Sequence, residues 1–484
     1  MSLSGALSNA LTGLTAASRN AQVTASNLAN VMTDGYARRE LELSSRSLGS
    51  GGGVTVSGIV RRADPSLISL RRSTSADQAF NTQLSDFHNR LEGLVGTPAD
   101  GSSLTAQLAD FEASLVAAAS RPDLQDRLTQ VFNDASEVAQ TFASVSDGIQ
   151  ALRGEANREI AATVEQLNTS LSQVRTLNIQ ISQATVLGHD SSALQDQRQL
   201  LIDRVAEIVP VNEVPRDLGA VALFTPNGAI LVDGDAAELS FTATNVVVPH
   251  LTQAGGHISG IEINGVAVSS DVSTGPLAGG KLAALFHIRD DLAVESQTQL
   301  DATARDLVER FQDASLDATR APGAAGLFTD QGAAFAVVDE VGLASRMSIN
   351  AAVDPASGGE TWRLRDGLGA ATPGPVGSSQ LLQDMKDALT ALRVPASGNF
   401  GPTAQSTSQL QATFLGEIGT AREVSDQTLA FSGARYASAT TQLLENGVDS
   451  DQEMQRLILI EQAYAANARM LQVLDEMMQA LMRI

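Results

Sequence analysis

The sequence predicts a mainly α chain that carries a β module, an α+β fold built on long helices. Three observations predict it. Apolar residues recur at alternating steps of four and three at both ends and along a proline-free central stretch. Aromatic residues are only 4% of the chain, while Ala, Ser, Gln and Leu are plentiful, a mix that suits long, closely packed helices. After Pro210 the texture changes to short alternating runs punctuated by Asn-Gly and Asp-Gly.

The first seam is Leu3, Leu7, Ala10, Leu14, Ala17, Ala21, Thr24 and Leu28, on a helix expected from near Ser2 to about Val31. Its only ionisable side chain before Thr33 is Arg19. A solvated helix is usually laced with Lys and Glu, so this surface is suited to packing on more than one side. Thr33-Asp34-Gly35-Tyr36 reads as a stop. A short strand is expected at Leu41–Leu43, a glycine-rich turn at Leu48–Gly53 and an alternating strand over Val54–Val60.

From Pro65 to Val209 the pattern is helical, broken near Gly96-Thr97-Pro98 and Arg121-Pro122, with Pro122-Asp123 as a helix start. Its strongest part runs from Val138 through Phe142, Ile149, Ala156, Ile160, Val164 and Leu171 to Ile181, with one stutter. Some fifty residues of helix would be about 75 Å long. Strands are expected at Val221–Leu223, Ile230–Val232, Leu239–Phe241 and Val246–Val248, with more alternation over Ile258–Val268. Helix returns at Gly280 and continues past Phe311. Ala321–Gly377 is rich in Gly and Pro, with strand-like runs at Ala334–Val338 and Thr361–Leu364. Further helices are expected at Gln380–Leu392 and Thr407–Asn446. A last one follows the cap Asp449 or Ser450 and carries the seam Leu457, Ile460, Tyr464, Asn467, Leu471, Leu474, Met478 and Leu481.

The expected organisation is nested. Residues 1–45 and 446–484 form a terminal domain whose helices pair as a coiled coil. Residues 46–209, 279–320 and 376–445 form a rod-like domain of long helices. Residues 210–278 form a small outer β domain that projects farthest from the termini, and 321–375 belong to the outer region.

Several function classes are excluded or disfavoured. With 32 basic against 55 acidic residues the net charge is −23, which repels phosphate backbones. There is no cysteine, so disulfides and thiolate metal sites are excluded. No apolar run is long enough to cross a membrane, and the start lacks the basic n-region of a cleaved signal. Of His88, His189, His250, His257 and His287, no two stand in a zinc-binding frame. Gly275 to Lys281 fits a phosphate-binding loop, but Leu282 stands where the metal-binding hydroxyl is needed. No cofactor, metal or catalytic constellation is therefore expected, and the chain reads as a non-enzyme.

Two segments carry a resemblance. Ser26-Asn27-Leu28-Ala29-Asn30 with Thr33-Asp34-Gly35-Tyr36-Ala37-Arg38 is similar to the N-terminal signature of bacterial flagellar rod, hook and hook-associated proteins. Glu461-Gln462-Ala463-Tyr464-Ala465-Ala466-Asn467-Ala468, with Leu471-Gln472 and Met477, resembles their C-terminal signature. Long inner helices, Leu194 to Leu200 and Gly279-Gly280-Lys281-Leu282 make the whole most similar to the hook-associated protein 1 (FlgK) family. The resemblance implies an extracellular structural subunit of the flagellum, joining hook to filament by helical self-assembly and exported unfolded without a cleaved signal. Implied partners are further copies of itself, the hook protein, hook-associated protein 3 and an export chaperone on the C-terminal helix. A hook or distal rod subunit, or an adhesin or enzyme carried on such a scaffold, is the alternative. The expected assembly residues are Leu3, Leu7, Leu14, Asn27, Asn30, Thr33, Gly35, Tyr36, Arg38, Leu457, Gln462, Tyr464, Asn467, Leu471, Leu474 and Met478.

Overall fold

The structure, a computed structural model, describes residues 3–46, 52–97 and 99–483. The first helix, α1 (Leu3–Ala29), leads into an antiparallel hairpin, β1 (Arg38–Ser45) and β2 (Val54–Arg62), in register from Arg38 opposite Arg62 to Ser45 opposite Val54. Both strands are longer than the sequence pattern indicates. Of the glycine-rich turn expected at Leu48–Gly53, residues 48–51 lie outside the described residues.

Four helices follow: α2 (Pro65–Val95), α3 (Leu104–Ser120), α4 (Gln125–Val186) and α5 (Ser192–Ile208). Asp64 caps α2 by accepting from the Ser66 and Leu67 amides, with Pro65 in the first turn where its missing N–H costs nothing. The 62 residues of α4 make a rod of about 93 Å at ~1.5 Å per residue. Every seam position expected from Val138 to Ile181 is buried. Two boundaries differ from expectation. Pro122-Asp123 lies in the turn before α4, because Arg121 holds Asp123 in a local ion pair and the helix opens only at Gln125. The helical run also breaks at 187–191, where Gly188 adopts φ 71 and α5 turns back along α4.

Strands β3 (Asn212–Pro215), β4 (Val221–Phe224), β5 (Ile230–Asp233) and β6 (Asp235–Ala236) form a sequential antiparallel sheet, turned by Asn227-Gly228 and Gly234 as the pattern indicates. A second sheet joins β7 (Leu239–Ser240), β8 (Ile261–Ile263) and β9 (Val266–Val268). Val246–Val248 is not a strand; Val248 O instead accepts from Arg153 on the flank of α4. Next come α6 (Gly280–His287), a π turn over Ile288–Leu292, and α7 (Ala293–Gln312). In the Gly/Pro-rich segment the strands are β10 (Phe328–Asp330) and β11 (Met347–Ile349), flanking α8 (Leu343–Arg346). The strands expected at Ala334–Val338 and Thr361–Leu364 are absent. The first is an irregular stretch entering a 3-10 turn, and the second runs into α9 (Arg363–Asp366). The chain closes with α10 (Gln380–Thr390), α11 (Thr407–Glu445) and α12 (Ser450–Met482).

The core follows α4. Near its start, Phe111 of α3, Phe311 of α7 and Phe328 of β10 meet with ring centroids 5.1–5.8 Å apart. Further along, asparagines about three turns apart hold the strands to its flank. Asn178 donates to Val221 O at 2.8 Å and accepts from Val221 N at 3.2 Å, and Asn168 brackets Leu239 in the same way at 2.7 and 2.9 Å. Asn157 donates to Thr244 O at 2.9 Å. Each amide thus stands in for a neighbouring strand. Fully buried Arg153 donates to Arg289 O at 2.7 Å, Val248 O at 3.2 Å and Leu251 O at 2.5 Å. The β segments therefore lie along the half of α4 nearer its C-terminus, and do not project farthest from the termini. The far end belongs to the 321–375 segment, where Thr361 bonds Gln125 and Arg365 donates to Pro122 O at 3.2 Å. Nested sequence order misleads here because α4 runs back past the strands.

Asp301 on α7 ties that segment in. Its carboxylate accepts from Gly342 N at 2.7 Å, Ala344 N at 2.9 Å and Gln297 at 3.0 Å. Burial outweighs those bonds and pushes its pKa up to about 6, from an ordinary value of 3.8. A raised carboxylate favours the folded state most below pH ~4, and that contribution is lost as pH rises through 6. We predict that stability falls by roughly 2–3 kcal/mol from this group alone between pH 4 and 7. Asp301→Asn should abolish that slope in urea titrations at several pH values; an unchanged slope would refute the assignment.

Candidate functional site at the meeting of the chain ends

The two chain ends meet. Helices α1 and α12 pack antiparallel, with Asn27 beside Glu453 and Gly13 against Asn467. A Cβ on Gly13 would come within 2.9 Å of Asn467 Oδ1, so a larger residue there would have to displace the Asn467 side chain.

After α1 ends, Asn30 donates to Ser26 O at 2.8 Å and accepts from the Thr33 hydroxyl at 3.2 Å, which ties off the last turn. Gly35 takes φ 74, and a Cβ there would fall 2.6 Å from Leu200 Cγ on α5. Both a left-handed turn and a close approach therefore demand glycine. The turn sends Tyr36 back so that its hydroxyl donates to Asn27 Oδ1 at 2.8 Å. Asn27 is 1% exposed and brackets Arg39, accepting from its N at 3.0 Å and donating to its O at 2.9 Å. The same amide reaches Glu453 Oε2 at 3.1 Å. Glu453 is 0% exposed, and its other oxygen accepts from Arg38 Nε at 2.6 Å. One amide and one carboxylate thus join the N-terminal signature to the first turns of α12.

Two further carboxylates complete the cluster. Glu40 accepts from Arg62 and Arg38, both at 2.9 Å, and from Arg456 at 3.4 Å; the Arg62 bond leads in holding it below the usual carboxylate range. Asp196 on α5 accepts from Arg39 at 2.8 Å and Arg61 Nε at 2.7 Å, while Gln199 takes the other arm of Arg61. Arg39 also lies 4.8 Å from the centre of the Tyr36 ring. The hairpin is therefore fixed to α5, α1 and α12 together.

Of the expected residues, Asn27, Tyr36 and Arg38 converge in this cluster, with Asn30, Thr33 and Gly35 shaping the turn beside it. Along the seam, Ala10, Ala17, Thr24, Ile460 and Leu474 are buried, and Leu14, Leu457, Asn467 and Leu471 are half-buried. Leu3, Leu7, Gln462, Tyr464 and Met478 are exposed. Sequence reasoning missed Glu453, Glu40 and Asp196. An acid at the start of α12 is explained locally by the helix dipole, so nothing along the chain marks Glu453 as the partner of Asn27 and Arg38. Asp196 and Gln199 belong to the 194–200 stretch, which carries a resemblance but no physical signal of a docking role. Lys281 of the phosphate-loop near miss pairs with Glu159 at 2.7 Å, and a Cβ on Gly280 would press within 2.5 Å of Ile208 O, so this loop is a packing contact. Among the described residues no group of three or more His, Asp or Glu side chains is placed to hold a metal.

Comparison with known proteins bears on this arrangement. A family profile described as the flagellar hook-associated protein FlgK helical domain matches residues 88–328, and one described as the flagellar basal body rod FlgEFG protein C-terminal matches residues 443–484. Flagellar hook-associated protein 1 of Bacillus subtilis is 24% identical over 98% of this chain and 96% of its own length. The protein of the same name from Escherichia coli is 25% identical over 64% of this chain and 56% of its own length. That of Salmonella typhimurium is 27% identical over 53% and 48%. Against these last two the chain spans about half the relative's length. The solved flagellar hook junction protein FlgK from Burkholderia pseudomallei aligns over 55% of this chain and 46% of its own, at 20% identity and a TM-score of 0.45. Profiles at the helical body and at the C-terminus, and a relative aligned almost end to end, carry the assignment: the chain belongs to the flagellar hook-associated protein 1 family.

Proposed function

We propose that this chain is a non-enzymatic structural subunit at the junction of hook and filament, and that it assembles through α1 and α12. The observation that carries this reading is the unfinished surface of α12. Met454, Ile458, Leu459, Met470, Val473 and Met477 are each about half exposed or more, on a helix anchored at its start by Glu453. A monomer rarely leaves so continuous an apolar surface open. The antiparallel α1–α12 pair, read as a coiled coil, would be the terminal domain, and α2–α11 the body. Partners in this reading are further copies of the chain, the hook protein below, hook-associated protein 3 above, and an export chaperone that covers α12 beforehand. Export without a cleaved signal and an extracellular location follow from the same reading.

Deleting Met1–Val31 should abolish incorporation into flagella while α2–α11 still fold, since their core is formed among themselves along α4. Motility of a strain carrying only the deleted chain, with circular dichroism of the purified protein, tests this. Wild-type swimming would sink the proposal.

A further inference from the structure

Arg198 on α5 is 7% exposed, yet no carboxylate pairs with it among the described residues. Its Nη1 donates to two neutral acceptors, Asn178 Oδ1 and Gly219 O, each at 2.8 Å. Nε and Nη2 donate to no protein group. These two N–H groups lie side by side along one edge of the guanidinium, the fork that matches two oxygens of one anion. Both keep solvent contact, and Arg198 lines a cleft of about 330 Å³ between the start of α2, α5 and β3. Burial holds its pKa below the ordinary arginine value; Glu213 opposes that shift, and Arg61 and Arg72 add to it.

The rest of the cleft is basic too, in a chain whose net charge is −23. Arg72 is 4% exposed and gives Nε to Asp203 and Nη1 to Glu213, both at 2.6 Å, which leaves Nη2 without a protein acceptor. Arg61 is held by Asp196 and Gln199. The lining thus sets three guanidiniums against one carboxylate, Glu213. Asp196 and Asp203 stand behind them, but each has a further arginine partner, Arg39 and Arg71, so the excess stays at two positive charges. A buried charge without a counter-charge is costly, and an anion in the cleft would remove that cost. We propose that the cleft binds a small divalent tetrahedral oxyanion of the phosphate or sulfate class, with two oxygens on Nε and Nη2 of Arg198 and Arg72 Nη2 as a further donor. Such an ion cancels the whole excess, where a single carboxylate cancels half of it. Bound there, it bridges α2, α5 and β3 and braces the point at which the β1–β2 hairpin enters the helical body.

Isothermal titration calorimetry of the dilute full chain reads the binding, with inorganic phosphate as the probe and chloride at matched ionic strength as the baseline. The expected result is one saturable site per chain for phosphate, matched by sulfate, with acetate about tenfold weaker or more. Arg198→Lys keeps the charge but loses the paired edge, and should weaken phosphate about tenfold or more. Ser69→Glu, at an exposed position on the cleft wall, supplies a competing carboxylate and takes no side-chain hydrogen bond away. It should weaken phosphate as much without lowering the midpoint of urea unfolding. Phosphate giving no more heat than chloride would overturn the proposal. So would binding that neither variant changes, which means an adventitious ion only. Acetate held as tightly as phosphate would assign the cleft to a carboxylate and overturn it as well. The site lies within one chain, so these results are independent of whether the chain assembles, and the junction reading stands or fails separately.

Discussion

Glu453→Ala is expected to loosen α12 from the rest of the protein by about 3 kcal/mol. Removing one partner of a buried ion pair typically costs ~3–5 kcal/mol, because the other charge is left desolvated without compensation. Here the loss strands Arg38 Nε and the Asn27 amide together. Arg38 is partly exposed and keeps Glu40 at 2.9 Å, which puts the expectation at the lower end of that range. Glu453→Gln keeps an acceptor in place and should cost less. Hydrogen exchange along Ser450–Met482 reads the effect directly; unchanged protection at the start of α12 would show that the cluster does not hold the chain ends together.

The second large effect is expected at Arg153. Substitution by leucine preserves apolar bulk but takes the Arg153 donor from the Arg289 and Leu251 carbonyls and leaves Val248 O with the Leu251 amide alone, at 3.0 Å. Buried unpaired groups cost ~1–3 kcal/mol each, so we expect a loss of about 3–5 kcal/mol with partial relaxation. Arg289 should be disturbed as well. It is fully buried, paired to Asp290 at 2.8 Å and packed over Phe241 and Phe286, all within the same joint between α4, the strands and the π turn. Urea denaturation of the full chain gives the magnitude, and fast exchange confined to residues 244–252 would mark its location. An unchanged midpoint would contradict the role assigned to Arg153.

Much of the fold was legible because helix signals are local. The seam of α4 could be read at single-residue resolution, since one face of it is buried throughout. The cap at Asp449 and the turn at Gly35 follow from residues next to them. Non-local polar pairing was not legible. Asn178 occupies a seam position and reads as a tolerated polar residue, whereas it grips Val221 across 43 positions of sequence. Nothing near Glu453 names Asn27, 426 positions away. The misplaced β module has the same origin, because the flank of α4 to which the strands attach is chosen by Asn157, Asn168 and Asn178, and amide side chains do not announce their partners. At the site, the turn-forming residues were readable and the acids that bind them were not.

The chain ends are anchored where they meet the body, at Asn27 and Glu453, and open beyond it. Hydrogen exchange on the dilute monomer and on the assembled protein tests this most directly. We expect amides near Thr24–Asn27 and Glu453–Ile460 to be protected in both states. Those of residues 3–11 and 470–482 should exchange nearly freely in the monomer and become protected only on assembly. Outer segments of α1 and α12 as protected in the dilute monomer as the middle of α4 would contradict it.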